Sequence, residues 1–234
     1  MIKLAIITGF SVALVFANEI TPDKRLRNAA EAFQEIMGAP DKAIPKKLLD
    51  RSACVIIVPG MKKVAVGIGG VYGRGFVSCR TSGHWGAPAG IQLAGGSFGL
   101  QLGAQVTDVV MLVMNESGVK KLLSDKFTVG AEASATAGPV GRGATADTDI
   151  LMTAEIISWS RSRGIFGGVS LDGTVVTGDS SENKKLYGTS LSTREIIEGN
   201  PAPPPAAQTL LSVLEKYSPG SKEARFTDRR SLLG

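Results

Sequence analysis

The chain has 234 residues, a formal net charge of +5, 29 glycines, one histidine and two cysteines. So few histidines and cysteines exclude a histidine-rich metal centre, a zinc ribbon and a disulfide scaffold. A hydrophobic share of 43% excludes a largely disordered chain, and the mild positive charge, without a dense basic patch, does not point to nucleic acid.

Behind Lys3, the stretch from Leu4 to Ala17 is uncharged and mostly apolar, closes on Val15-Phe16-Ala17 and is followed by polar Asn18-Glu19. This reads as a secretory signal peptide, residues 1–17, cut after Ala17; the run is shorter than the about 20 residues of a membrane helix. The alternatives are an uncleaved anchor or a buried strand. The expected location is exported: periplasmic or secreted, and peripheral to a membrane.

Thr21 and Pro22 open a helix as N-cap and first-turn residue, and Gly38-Ala39-Pro40 closes it. Leu26, Ala29, Ala30, Phe33, Ile36 and Met37 recur at helical spacing, with Lys24, Arg25 and Arg27 on the other face. Ile44 to Leu49 opens a second short helix. Ala53 to Val58 is a β-rich run expected to stop at Pro59-Gly60. Val64, Val66 and Ile68 alternate with Ala65 and Gly67 as one strand, and Arg74 to Arg80 forms another. Phe98 to Val106 alternates again, Thr107 to Met114 is an apolar strand, and Glu116 to Ser124 is a short helix. Phe127 to Ala137 has β character, and Ile150 to Arg161 fits strand and helix equally. Ile165 to Leu171 and Thr174 to Thr177 read as a hairpin about Asp172-Gly173. Ser180 to Tyr187, Thr193 to Glu198 and Ala206 to Tyr217 are helical, the last following a stiff Pro201 to Pro205 spacer. The expectation is an α+β fold: a strongly curved, mostly antiparallel sheet, with a barrel-like form as one outcome, and N-terminal, internal and C-terminal helices.

Candidate chemistry is sparse. Gly67 to Gly75 fails the dinucleotide pattern, because Tyr72 stands where the third glycine belongs and no helix follows. Gly95-Gly96-Ser97-Phe98-Gly99 matches the nucleophile-elbow pattern, so a serine hydrolase at Ser97 is a minor alternative; a strand pattern follows where the elbow needs a helix. His84 lacks local partner ligands, and Asp147 with Asp149 reads as a polar loop, so no metal and no cofactor are expected. Cys54 and Cys79 sit in two strand-like segments and are either a disulfide or two buried thiols.

Several segments together resemble the SYLF domain family. They are Ile44-Pro45 with Leu48-Leu49, Val55 to Pro59 with Lys63 and the glycines 69, 70, 73 and 75, and Gly83-x-Trp85-x-x-Pro88-Ala89, where Gly86 replaces the usual serine. Gly99-Leu100-Gln101-x-Gly103 with Asp108, Gly138 to Arg142, Ser158 to Leu171 and Asn183 to Gly188 fit as well. The resemblance spans roughly Arg25 to Gly199. It divides the mature chain into a SYLF-like domain, 18–199, and a Pro-rich spacer, helix and basic tail, 200–234.

Membership implies a non-enzymatic module that binds anionic phospholipid, phosphoinositides in eukaryotic members, where relatives act at actin-rich membranes. An exported chain does not meet cytosolic actin, so the expected partner is an anionic phospholipid membrane surface. Residues expected to serve it are Lys24, Arg25, Arg27 and Phe33 on the first helix, with Lys62, Lys63 and Arg74 from the sheet. The first helix has a second reading, in which its apolar face packs on the sheet. A cell-envelope protein that holds a protein partner through residues 201–234 is the alternative function.

Overall fold

The computed structural model describes residues 20–39, 43–66, 68–98, 103–138, 153–162, 165–168 and 171–220. The expected signal peptide, the pair Asp147 and Asp149, and the tail beyond residue 220 lie outside these residues.

Helix α1 (Pro22–Met37) begins where Thr21 caps it, its side chain accepting from the Lys24 N–H, and ends at Gly38. Helix α2 (Lys46–Arg51) leads into strand β1 (Cys54–Val66), which forms a long antiparallel hairpin with β2 (Ile68–Thr81). A short β3 (His84–Trp85), then β4 (Ala89–Phe98) and β5 (Gly103–Val113), follow. After α3 (Glu116–Leu122) come β6 (Lys126–Thr128), β7 (Ala135–Ala137), β8 (Ile156–Ser162), β9 (Ile165–Gly168) and β10 (Val175–Gly178). Helices α4 (Ser180–Tyr187) and α5 (Thr193–Gly199), one 3-10 turn (Pro205–Ala207) and α6 (Gln208–Tyr217) complete the described chain.

The strands form one strongly curved, mostly antiparallel sheet in the order β6-β10-β4-β2-β1-β5-β8-β7, with β3 on β2 and β9 on β8. The fold is α+β, as expected. Both faces of its near half are covered, so its strands are apolar on both sides. Leu26, Phe33 and Ile36 of α1, Leu48 and Leu49 of α2 and Leu210 and Leu214 of α6 pack with Val55, Ile57, Phe76, Val110 and Leu112 on one face. Ile56, Val58, Val77, Val109 and Met111 join Val119 of α3, Ile196 of α5 and Ile91, Leu93 and Val176 on the other.

Several expectations change. β1 does not stop at Pro59-Gly60. It passes through a bulge there, with Gly60 at φ +61° and its N–H donating to Asp108 Oδ1 at 2.8 Å. Val64 to Ile68 is not one strand: Val66 and Ile68 are register partners across the hairpin. The turn expected at Asp172-Gly173 is present, with Gly173 at φ +79°. Its arms do not pair with each other, because β10 lies between β4 and β6 while β9 joins β8. A local turn signal fixes a reversal, whereas burial fixes the partner strand. The helix expected at 206–217 after a stiff spacer packs on the core: Ala207, Leu210 and Leu214 are buried against α1.

Cys54 and Cys79 are register partners in β1 and β2 and are joined as a disulfide. Among the two readings open in the sequence, the structure takes the bridged one.

Candidate functional site

The side of the sheet that carries α1 shows a sequence of three zones along the strands. Nearest the disulfide is the apolar core. A charged rim follows. Arg74, on β2, donates through Nε to Asp179 Oδ2 at 2.6 Å and reaches Glu182 Oε2 with Nη2 at 3.1 Å. Arg25 of α1 pairs with Glu182 from the other side and donates through Nη2 to the Ile20 carbonyl at 3.0 Å. Asp179 and Glu182 are buried. Burial works to raise the Asp179 carboxyl, but hydrogen bonds from Arg74 and the Glu182 N–H hold it below its ordinary value. The Asp179 hydrogen bond in turn raises the Arg74 guanidinium, which therefore stays charged. Further along the rim, Arg161 of β8 donates through Nη2 to Asp108 at 2.6 Å and pairs with Glu35 of α1.

Beyond the rim the sheet loses its cover. The register sets Val106, Lys62, Tyr72 and Ala94 side by side across β5, β1, β2 and β4, and Ala104, Val64, Gly70 and Gly96 form the next row. All eight are exposed. Val64 is 51% accessible, Tyr72 48% and Val106 58%; besides Ile20 at 43%, they are the exposed large hydrophobic residues among those described. Strand alternation places these rows on the α1 side, continuing Phe76 and Arg74 of β2 and Val110 and Asp108 of β5. On the reverse side, Met61, Gly73, Leu93 and Thr107 are buried, and exposed Lys63 and Gln105 lie beyond them.

The bulge decides which face is which. Ile56 and Val58 point away from α1, and so does Met61, because one extra residue separates it from Val58. Without that residue Lys62 and Val64 would point away from α1 too.

The seven residues expected to meet lipid divide sharply. Lys24, Arg27, Lys62 and Lys63 are exposed. Arg25 is 7% accessible and Arg74 half-buried, both held in the rim. Phe33 is fully buried and meets the Tyr217 ring edge-on at 6.0 Å between centroids. The apolar face of α1 is therefore used on the sheet and α6, with Phe33 packed there and Arg25 and Arg74 held in ion pairs. Tyr72 and Val106 were not singled out in the sequence, because only the register sets them beside Lys62. Ser97 also loses the elbow. It pairs with Gly69 within β4, and the next described element is another strand. Trp85 of the glycine–tryptophan motif is buried, with Arg80 over its ring at 4.1 Å and its Nε1 donating to the Ser218 carbonyl at 3.1 Å. Among the described residues no group of three metal-ligating side chains converges, and no helix is long and apolar enough to cross a membrane.

A curved sheet covered on both faces at one end and bare on one face at the other defines an α+β domain with an open sheet surface. The sequence profile of the Ysc84 family, described as Las17-binding protein actin regulator, matches residues 94–217, more than half of the chain. The chain belongs to this family, the SYLF family its motifs resemble. It is 32% identical over 185 residues to LAS seventeen-binding protein 3 of Saccharomyces cerevisiae, a match covering 77% of this chain and 40% of that protein. It is 29% identical over 204 residues to SH3 domain-containing YSC84-like protein 1 of Xenopus laevis, covering 82% and 59%. The human protein of that name is 27% identical over 199 residues, covering 83% and 58%. The chain thus spans well under two thirds of the relatives' length. The yeast relative is named as a binding protein, and none of the three names states an enzymatic activity.

Proposed function

We propose that this chain is an exported, peripheral lipid-binding module that contacts anionic, phosphoinositide-like head groups and performs no chemistry of its own. The observation that carries the reading is the pair Lys62 and Lys63. They are exposed on the two faces of β1, and neither has a carboxylate partner among the described residues. Rim arginines are already neutralised by Asp179, Glu182 and Asp108, so of the sheet residues expected to meet lipid, Lys62 and Lys63 are the cations left to attract an anionic surface. Membership of the family, whose resemblance implies lipid binding, supports the same reading.

Export is supported by the apolar run ending at Ala17 and by the disulfide, which suits an oxidising compartment. Secreted or periplasmic protein is expected to begin at Asn18 by mass; a chain retained in the cytosol with residues 1–17 intact contradicts it. The relatives' names point to protein partners, but a partner arm at 201–217 has no free apolar face, since α6 is packed on α1. Vesicle flotation tests the lipid reading. Binding should be strong on phosphatidylcholine vesicles containing phosphatidylserine or a phosphoinositide, weaker on phosphatidylcholine alone, and should fall as salt rises. No binding to the anionic vesicles at low salt rejects it.

A further inference from the structure

We propose that the bare face of the far sheet, floored by Val64, Tyr72 and Val106 around Lys62, is the surface that enters the bilayer interface, and that α1 does not. The inference rests on the lipid reading above and specifies the surface that carries it.

Three observations lead there. The apolar face of α1, which would have to insert, is fully buried under the domain at Leu26, Phe33 and Ile36. Releasing it would open the main core. The far sheet needs no release: its three large apolar side chains are already about half accessible and share one face by register. Clustered exposed apolar side chains on one face mark a contact surface, where single scattered ones do not.

The chemistry of that face fits an anionic bilayer rather than another occupant. Tyr72 has the amphipathic ring that settles at the level of head groups, and Lys62, in line with it, places an ammonium there. Small neighbours Ala94, Ala104, Gly70 and Gly96 leave the three apolar side chains unobstructed, with nothing within 4 Å of a Cβ built at Gly96. An open apolar floor with one cation complements a surface of acyl chains beneath anionic groups. Lys63, on the reverse, adds long-range attraction without entering. The Gly60 bulge and its Asp108 hydrogen bond give the device its polarity, because they turn Val64 and Lys62 toward the α1 side where Tyr72 and Val106 already point.

The test compares three variants of the full chain on phosphatidylcholine–phosphatidylserine vesicles, each checked for an unchanged melting profile. In Val64→Ser/Val106→Ser the partition coefficient should drop at least tenfold at unchanged charge, since two apolar contacts are lost. Lys62→Gln should weaken binding on anionic vesicles more than on neutral ones. Lys24→Gln/Arg27→Gln on α1 should change partition by less than threefold. Retained affinity in the first variant with a large loss in the last overturns the sheet-face assignment while leaving lipid binding intact. Failure of the unaltered chain to bind at all rejects the underlying reading instead. Concentration-dependent self-association that the Val64→Ser/Val106→Ser change abolishes, with vesicle binding retained, also overturns it, because the face would then join two copies.

Discussion

The near and far halves of β1 follow the same two-residue alternation and differ in what lies on them. Ile56, Ile57 and Val58 are 0%, 1% and 0% accessible, enclosed between α1 with α6 on one side and α3 with α5 on the other. Lys62, Lys63 and Val64, a few residues on, are exposed. The bulge and the ion-pair rim separate the two halves. On one side of that line side chains are selected by packing; beyond it they are left to solvent or a partner. Apolar residues at exposed positions therefore carry more information about function than the far larger number in the core.

The comparison breaks first, and most severely, where α1 meets the near half. Phe33→Ala leaves a cavity between α1, α6 and the sheet and should cost about 4 kcal/mol in urea unfolding. If Phe33 instead inserted into lipid, the change would spare stability and lower vesicle affinity.

A moderate effect is expected at the rim. Because the Asp179 carboxyl sits below its ordinary value in the folded chain, its contribution is complete above the usual carboxylate range and fades as pH falls through the folded value. Stability should hold steady near neutrality and decline below about pH 4. The decline should flatten in Arg74→Gln, and thermal melts across that range check it. A profile unchanged by the substitution contradicts the pairing.

The smallest effect on stability belongs to the far half. The serine substitutions at Val64 and Val106 should shift unfolding by roughly 0.5 kcal/mol or less each, since these side chains bury little. A larger loss would mean the face is covered in solution.

Much of the near half was legible in the sequence. Thr21, Pro22 and Gly38 marked α1 because caps are local chemistry, and the apolar run in Thr107 to Met114 marked β5. Less local facts were not legible. Arg25 reads as a solvated helix residue until α4, distant in the chain, supplies Glu182. Pro59-Gly60 reads as a strand end, yet a bulge uses the same residues. Val64 to Ile68 keeps its period through a reversal, because hairpin partners one residue from the turn are both apolar. The site was half visible: Lys62 and Lys63 were found by charge, while Tyr72 and Val106 became neighbours of Lys62 only once the register was known.

The most direct measurement places a reporter in the bare face. Trp85 and Trp159 are buried, so Tyr72→Trp adds the solvent-facing indole. Its emission should shift to the blue on adding phosphatidylcholine–phosphatidylserine vesicles, and quenchers attached to the lipid tails near the head groups should reduce it. Vesicle binding with that emission unshifted and unquenched would contradict docking through the sheet face.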